Sequence, residues 1–160
     1  MLDSGSPIKL TNDRTRLENG MYNGLLHIVA DSNSGEDAVV DWLRRGGHDV
    51  ERQPLPGGDY ACFDGDSPIV VERKEVRDFV KSVNDGRLES GPAKMVASYG
   101  QNSRLALLLE GYFDTLYGLM LPYRVHAILA DLQSRGFDLW FSVDHETTAK
   151  AIVREFQRHL

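Results

Sequence analysis

Residues 105–109, LALLL, are apolar at every position. A strand of that kind has no side that tolerates water, so both faces of its sheet must be covered. Helices packed on the two faces provide that cover, and the rest of the chain supplies them. Residues 25–30 (LLHIVA) read as another buried strand and 49–55 as a third. Residues 59–63 and 69–72 read as the arms of a hairpin around the turn DGDS, with Gly65 expected to supply a positive φ. Residues 137–143 complete the strands. Between them lie helical stretches. Residues 36–45 follow Ser34, expected to form a capping box with Asp37, and stop at Gly46 and Gly47. Residues 75–83 end at Asn84–Asp85–Gly86, and 92–99 open on Pro92. Residues 122–135 are amphipathic, and 146–159 form the last helix. Strands and helices interleave, so the expected class is α/β, with a mixed central sheet flanked by helices in a single domain.

The length of 160 residues fits one domain. Residues 1–24 are polar and turn-rich and read as an N-terminal arm, with a short strand expected at 8–10; the folded domain is expected over 25–160. There is no repeat and no low-complexity tract. One cysteine excludes a disulfide framework and a Cys-rich zinc cluster, and it fits a reducing, intracellular setting. Cys62 alternates with apolar neighbours and reads as a packed thiol. The five histidines show no metal-binding spacing. No apolar run reaches the roughly 18 residues of a membrane span. The opening MLDSGSPIKL lacks the apolar block of a signal peptide, so the chain is expected to remain inside the cell. The net charge of −6 argues against a non-specific nucleic-acid coat. The acidic excess is local: residues 1–80 hold 15 acidic and 9 basic side chains, residues 81–160 hold 9 of each. Such a balance does not exclude an enzyme that meets phosphate through bound cations.

The acidic half contains the chemistry. For a hairpin symmetric about Gly65 and Asp66, opposed residues have numbers summing to 131, and Asp59 and Glu72 satisfy this. Directly opposed Cβ atoms lie about 4.5–5.5 Å apart. Lys74, two positions after Glu72, shares its face, while Arg73 points to the other. Facing carboxylates repel unless a divalent cation lies between them, and a hard oxygen pair of this kind suits Mg²⁺ or Mn²⁺. A lysine beside the metal orients a water and stabilises developing negative charge. Carboxylate, carboxylate and lysine on one hairpin face therefore suit phosphodiester hydrolysis.

The pattern Gly58–Asp59, then Glu72–Arg73–Lys74, then Asp78 resembles the motif of XPF-type structure-specific endonucleases, a branch of the PD-(D/E)XK, restriction-endonuclease-like nucleases. Flanking segments extend the resemblance in order: VADS at 29–32, LPGGDY at 55–60, NDGRL at 84–88, LLLEG at 107–111 and DHETTAKAIV at 144–153. It covers residues 25–160. It implies a restriction-endonuclease-like fold. It implies metal ligation by Asp59, Glu72 and the backbone carbonyl of Arg73, with Mg²⁺ or Mn²⁺ as cofactor. It implies a catalytic role for Lys74, an acidic supporting role for Asp31 that extends to metal ligation, and site-organising roles for Arg73 and Asp78. Arg87 becomes a phosphate contact. The substrate implied is branched DNA such as flaps, forks and junctions, in DNA repair and recombination. The partner implied is a second copy or a related chain, held through helices near 120–134 and 145–159.

The chain also departs from that pattern. The first motif of the resemblance continues D-x-R-E, whereas here Asp31 is followed by Ser32, Asn33 and Ser34, with Glu36 as a substitute acid. After GRL the resemblance has a glutamine, whereas this chain reads Glu89–Ser90–Gly91–Pro92. On residues alone, Asp78 reads equally as an ion-pair partner of Lys74 at helical spacing, and Glu110 as a structural acid. Tyr112, Phe113, Tyr117 and Tyr123 favour an interface over base stacking. The competing functional reading is a catalytically silent nuclease-like module that serves as dimer partner or DNA-binding subunit. Retention of Asp59, Glu72 and Lys74 favours the enzyme.

Overall fold

A computed structural model describes residues 24–33 and 35–160. The expected arm over residues 1–23, its strand at 8–10 and the Ser34 cap lie outside the described residues. Six strands form one mixed sheet: β1 (His27–Asp31), β2 (Asp49–Gln53), β3 (Tyr60–Cys62), β4 (Ile69–Glu75), β5 (Arg104–Glu110) and β6 (Asp138–Ser142). Their spatial order is β2-β1-β3-β4-β5-β6. The pairs β1/β2, β4/β5 and β5/β6 are parallel, whereas β3 is antiparallel to both β1 and β4. The α/β class, the mixed sheet and the cover on both faces agree with the expectation.

The helices are α1 (Asp37–Arg45), α2 (Val76–Asn84), α3 (Ser90–Tyr99), α4 (Phe113–Leu119), α5 (Pro122–Ser134) and α6 (His145–Arg158). One core joins α1 and α6 to the sheet through Val39, Leu43, Ile152 and Phe156 against Ile28, Val71 and Leu108. The other joins α2 to α5 through Phe79, Met95, Leu116, Val125 and Leu132 against Val70, Leu107 and Leu109. Strand β5 alternates between the two cores, as an all-apolar strand must. Helices α5 and α6 flank the edge strand β6 from opposite faces.

Four local expectations are corrected. Gly65 is not among the positive-φ glycines, because residues 63–68 spread the chain reversal over six positions. Helix α3 starts at Ser90 and not at Pro92; a proline in the first turn lacks only an N–H that the helix leaves unbonded anyway. Helix α1 begins at Asp37, with Glu36 in the cap position and no side-chain cap bond. A capping box occurs at α6. There Asp144 accepts from the Thr147 N–H at 2.8 Å, and the Thr147 hydroxyl accepts from the Asp144 N–H at 3.0 Å. Helix α4 was not anticipated, because its aromatic residues read as an interface cluster.

Strand β4 continues to Glu75, three residues past the expected end, so Lys74 keeps its place in the pleat. No helix among the described residues is long and apolar enough to cross a membrane. Leu108 is fully buried in β5, which pairs with β4 along seven residues. Replacing it with alanine is expected to destabilise the domain by about 2–5 kcal/mol. Chemical denaturation at constant m-value reads the loss.

Candidate active site

The register places Tyr60 opposite Val71, Ala61 opposite Val70 and Cys62 opposite Ile69. Each pair sums to 131, the value expected from the hairpin arithmetic. The regular ladder ends at Tyr60 and Val71: the Asp59 N–H donates to the Val71 carbonyl at 2.8 Å rather than to Glu72, and the Asp59 side chain reaches on to the Arg73 N–H. Gly58, just before, has φ +76°, and a Cβ there would lie 2.5 Å from Val70 Cγ1. Glycine is thus required twice over at the entry to the site, for its backbone angle and for its missing side chain.

Asp59, Glu72 and Lys74 line one open cleft of about 610 Å³, together with Glu36, Arg73, Asp78, Lys81, Ser82, Arg87 and Ser90. Asp59 Oδ2 accepts the Arg73 N–H at 2.8 Å. Burial first, then the charges of Glu36, Glu72 and Asp31, push the Asp59 carboxyl up to about 7, against the pull of that hydrogen bond. Burial also raises Glu72, which the charges of Lys74 and Lys94 partly offset. The Glu72 carboxylate lies against the first turn of α3, where a Cβ on Gly91 would stand 2.5 Å from its Oε1. The missing side chain of Gly91 thus leaves the room that Glu72 occupies. Lys74 Nζ donates to Ser82 Oγ at 3.2 Å. Among the described residues Lys74 forms no ion pair with Asp78, although the two are spaced for one. Arg87 pairs with Asp85 at 2.8 Å and stays largely exposed. Asp31 lies outside the cleft lining, and its Oδ1 accepts the Leu55 N–H at 2.9 Å.

Arg73 points to the opposite face, as the alternation required. Its Nε and Nη2 bind Glu110 at 2.9 and 2.7 Å, and its Nη1 lies 3.5 Å from Glu36 Oε2. Tyr60 donates to the same Glu36 oxygen at 2.5 Å. Burial alone would raise Glu110, but hydrogen bonds from Arg73 and Thr148 outweigh it and hold the carboxyl below its ordinary range. Tyr60, Ser82, Ser90, Lys81 and Thr148 were not singled out from sequence. Tyr60 and Arg73 were accessible to the same period-two argument that paired Asp59 with Glu72. An arginine sent into a covered face needs a carboxylate, and Glu36 and Glu110 were the acids beside that face.

Two half-buried carboxylates, both raised by burial, form an oxygen donor set that suits a hard divalent cation. Among the described residues no group of three or more His, Cys, Asp or Glu side chains could hold a metal. The acids of the cleft therefore need backbone oxygen or water to complete a shell.

A mixed sheet with this topology and an acid–acid–lysine cleft beside a hairpin define a restriction-endonuclease-like nuclease fold. The ERCC4 domain family model matches residues 30–154, and the chain belongs to that family. Among solved structures it is similar to the XPF from Aeropyrum pernix, with 27% identity and a TM-score of 0.63 over 83% of this chain and 64% of that one. It is similar also to the XPF from Aeropyrum pernix in complex with DNA, with 27% identity and a TM-score of 0.64 over 84% of this chain and 64% of that one. The chain thus spans under two thirds of those structures' length. No curated protein matches it.

The Asp59 shift carries a testable sign. Its folded value lies above that of the unfolded chain, so the stabilising contribution is complete below about pH 4 and is lost as pH rises through about 7. In EDTA, the melting temperature of the wild type is therefore expected to fall more between about pH 5 and pH 8 than that of Asp59→Asn, which cannot ionise. Parallel curves for the two proteins would remove this account of the site.

Proposed function

We propose that the chain is a metal-dependent endonuclease domain that hydrolyses phosphodiester bonds in branched DNA. The observation that carries this reading is that Asp59, from the entry to β3, and Glu72 and Lys74, from β4, line one cleft. Membership of the ERCC4 domain family supports it.

In this reading Asp59, Glu72 and the Arg73 carbonyl would hold Mg²⁺ or Mn²⁺, with Asp31 as a supporting acid close enough to influence Asp59. A cation bound there lowers the pKa of a coordinated water and neutralises charge on the phosphate. Lys74, fixed by Ser82, orients the attacking water and faces the oxygen on which negative charge develops. Asp78 sits on the exposed rim above it and organises the approach. Arg87 and Lys81 at the cleft edge receive flanking phosphates, where an exposed cation contributes affinity without reading sequence. No side chain needs to become covalently attached to the substrate.

The acidic balance of the whole chain makes these local cations more important, since the rest of the surface offers DNA little attraction. The partner surface is proposed along the C-terminal helices α5 and α6, beside the β6 edge. Leu121 is 75% exposed, Tyr123 86%, and Phe141 stands out from the edge strand. A second copy or a related chain would cover them and widen the DNA-binding face. Such an enzyme acts inside the cell, in repair or recombination of DNA.

The test is cleavage of labelled duplex, single strand, 3′ flap, 5′ flap, fork and four-way junction in Mg²⁺, Mn²⁺ and EDTA. Cutting near the branch is expected with either metal and not with EDTA. Lys74→Ala is expected to lower the rate about 10²–10⁴-fold, the usual contribution of a positioned proton-transfer group, while the protein stays folded. A folded wild type that binds these DNAs with an ordinary salt dependence, needs no metal and cuts none of them would instead establish the catalytically silent module.

A further inference from the structure

From Glu36 and Arg73, which also belong to the cleft lining, polar side chains form a continuous buried chain into the α1–α6 face of the sheet. The Tyr60 hydroxyl donates to Glu36 at 2.5 Å, and Arg73 joins Glu36 to Glu110. The Thr148 hydroxyl donates to Glu110 Oε2, and Ser142 Oγ lies 2.6 Å from Thr148 Oγ1. Glu36 and Glu110 are each 5% exposed. The members come from β3, the start of α1, β4, β5, α6 and β6, so the chain crosses four neighbouring strands and ties in the two helices that cover them.

None of these groups except Arg73 is used by the proposed chemistry. Two buried carboxylates around one guanidinium are a costly way to fill a core. Apolar residues of similar volume are often as stable or more so. What an apolar filling lacks is orientation. A guanidinium held by both oxygens of one carboxylate is fixed in position and in plane.

We infer that Glu110 is a positioning residue of the candidate active site, acting through Arg73. The inference rests on the cation site proposed above. The Arg73 peptide lies between Glu72 and Lys74, its N–H holds Asp59 Oδ2, and its carbonyl belongs to the proposed ligand set. A guanidinium anchored on one face of the sheet therefore sets the peptide that organises three groups on the other. Thr148 orients Glu110 in turn, which gives α6 a part in the site although it never reaches the cleft.

The test is Mn²⁺ titration, followed by the electron paramagnetic resonance signal of the free ion, on wild type, Glu110→Gln and Thr148→Val. Circular dichroism reads the folded fraction of each. Glu110→Gln keeps the shape and one acceptor for Arg73 but loses the charge and the second acceptor. It is expected to weaken Mn²⁺ binding per folded molecule about 10–100-fold, the usual effect of removing a support behind a ligand. On a cleaved substrate, kcat should fall while KM for DNA stays unchanged, because Arg87 and Lys81 are untouched.

Should Glu110→Gln not fold, Thr148→Val decides the matter. It removes only the hydroxyl that orients Glu110, and it is expected to weaken Mn²⁺ binding in the same direction by a smaller factor. A folded variant with lowered melting temperature but unchanged Mn²⁺ affinity and kcat overturns the inference and makes the pair a fold element alone. A wild type that takes up no Mn²⁺ overturns the cation site itself, which the variants cannot do.

Discussion

Strand β4 sends successive side chains to opposite faces of the sheet, and the two halves of the candidate site follow from that alternation. Glu72 and Lys74 reach the cleft, while Arg73 reaches the buried face between them. A one-residue slip of β4 against β3 or β5 would exchange the two sets. Arg73 would then enter the cleft, and a carboxylate and an ammonium would be forced under α1 and α6 without partners. The same slip would turn Val71 and Ile69 out of their core and Val70 into it. Register is therefore enforced by apolar packing along the whole strand, and the reactive groups inherit their placement from it.

Much of this could be read before the structure was known, and the reason is geometric. An all-apolar strand at 105–109 required two covering layers, and a symmetric hairpin required Asp59 and Glu72 to oppose each other. Both are short-range consequences of a period of two; the two covering layers are present, and the β3–β4 pairs from Tyr60 to Cys62 keep the expected sum. What could not be read depends on distant elements. The partners of Arg73 come from residues 36 and 110, and Thr148 lies further still along the chain. No local spacing connects them. Helix α4 was missed for another reason. Phe113 and Tyr117 pack at a tilt of 45° with centroids 5.5 Å apart, and Phe113 meets Phe141 at 5.3 Å. Those contacts give the helix its reason to form, and the aromatic residues alone do not distinguish a helix from a loop at an interface.

Electrostatics divides the two faces more sharply than packing does. On the cleft side, Asp59 and Glu72 share a partly buried space with Lys74 as the cation closest to them in the chain, and both carboxyls are raised. On the covered side, Glu110 has a guanidinium and a hydroxyl aimed at it and is lowered. One sheet thus holds an acid pair short of positive charge and, a few ångströms through the strand, an acid pair that shares an arginine. The first arrangement is poorly stable as it stands and gains from a cation. The second is satisfied internally and has no need of one.

That contrast explains why the arginine in the middle of the motif faces away from the chemistry. If Arg73 pointed into the cleft, it would neutralise the carboxylates and compete with any divalent ion for their oxygens. Turned inward, it does the opposite: it takes up the negative charge of Glu110 and part of that of Glu36, and leaves Asp59 and Glu72 to the cleft. Its backbone still belongs to the reactive side, through the N–H that Asp59 accepts. The residue is therefore divided between two tasks by the plane of the sheet. The identities of Tyr60, Glu36, Glu110 and Thr148 are what allow a charged side chain to occupy the buried half of that division.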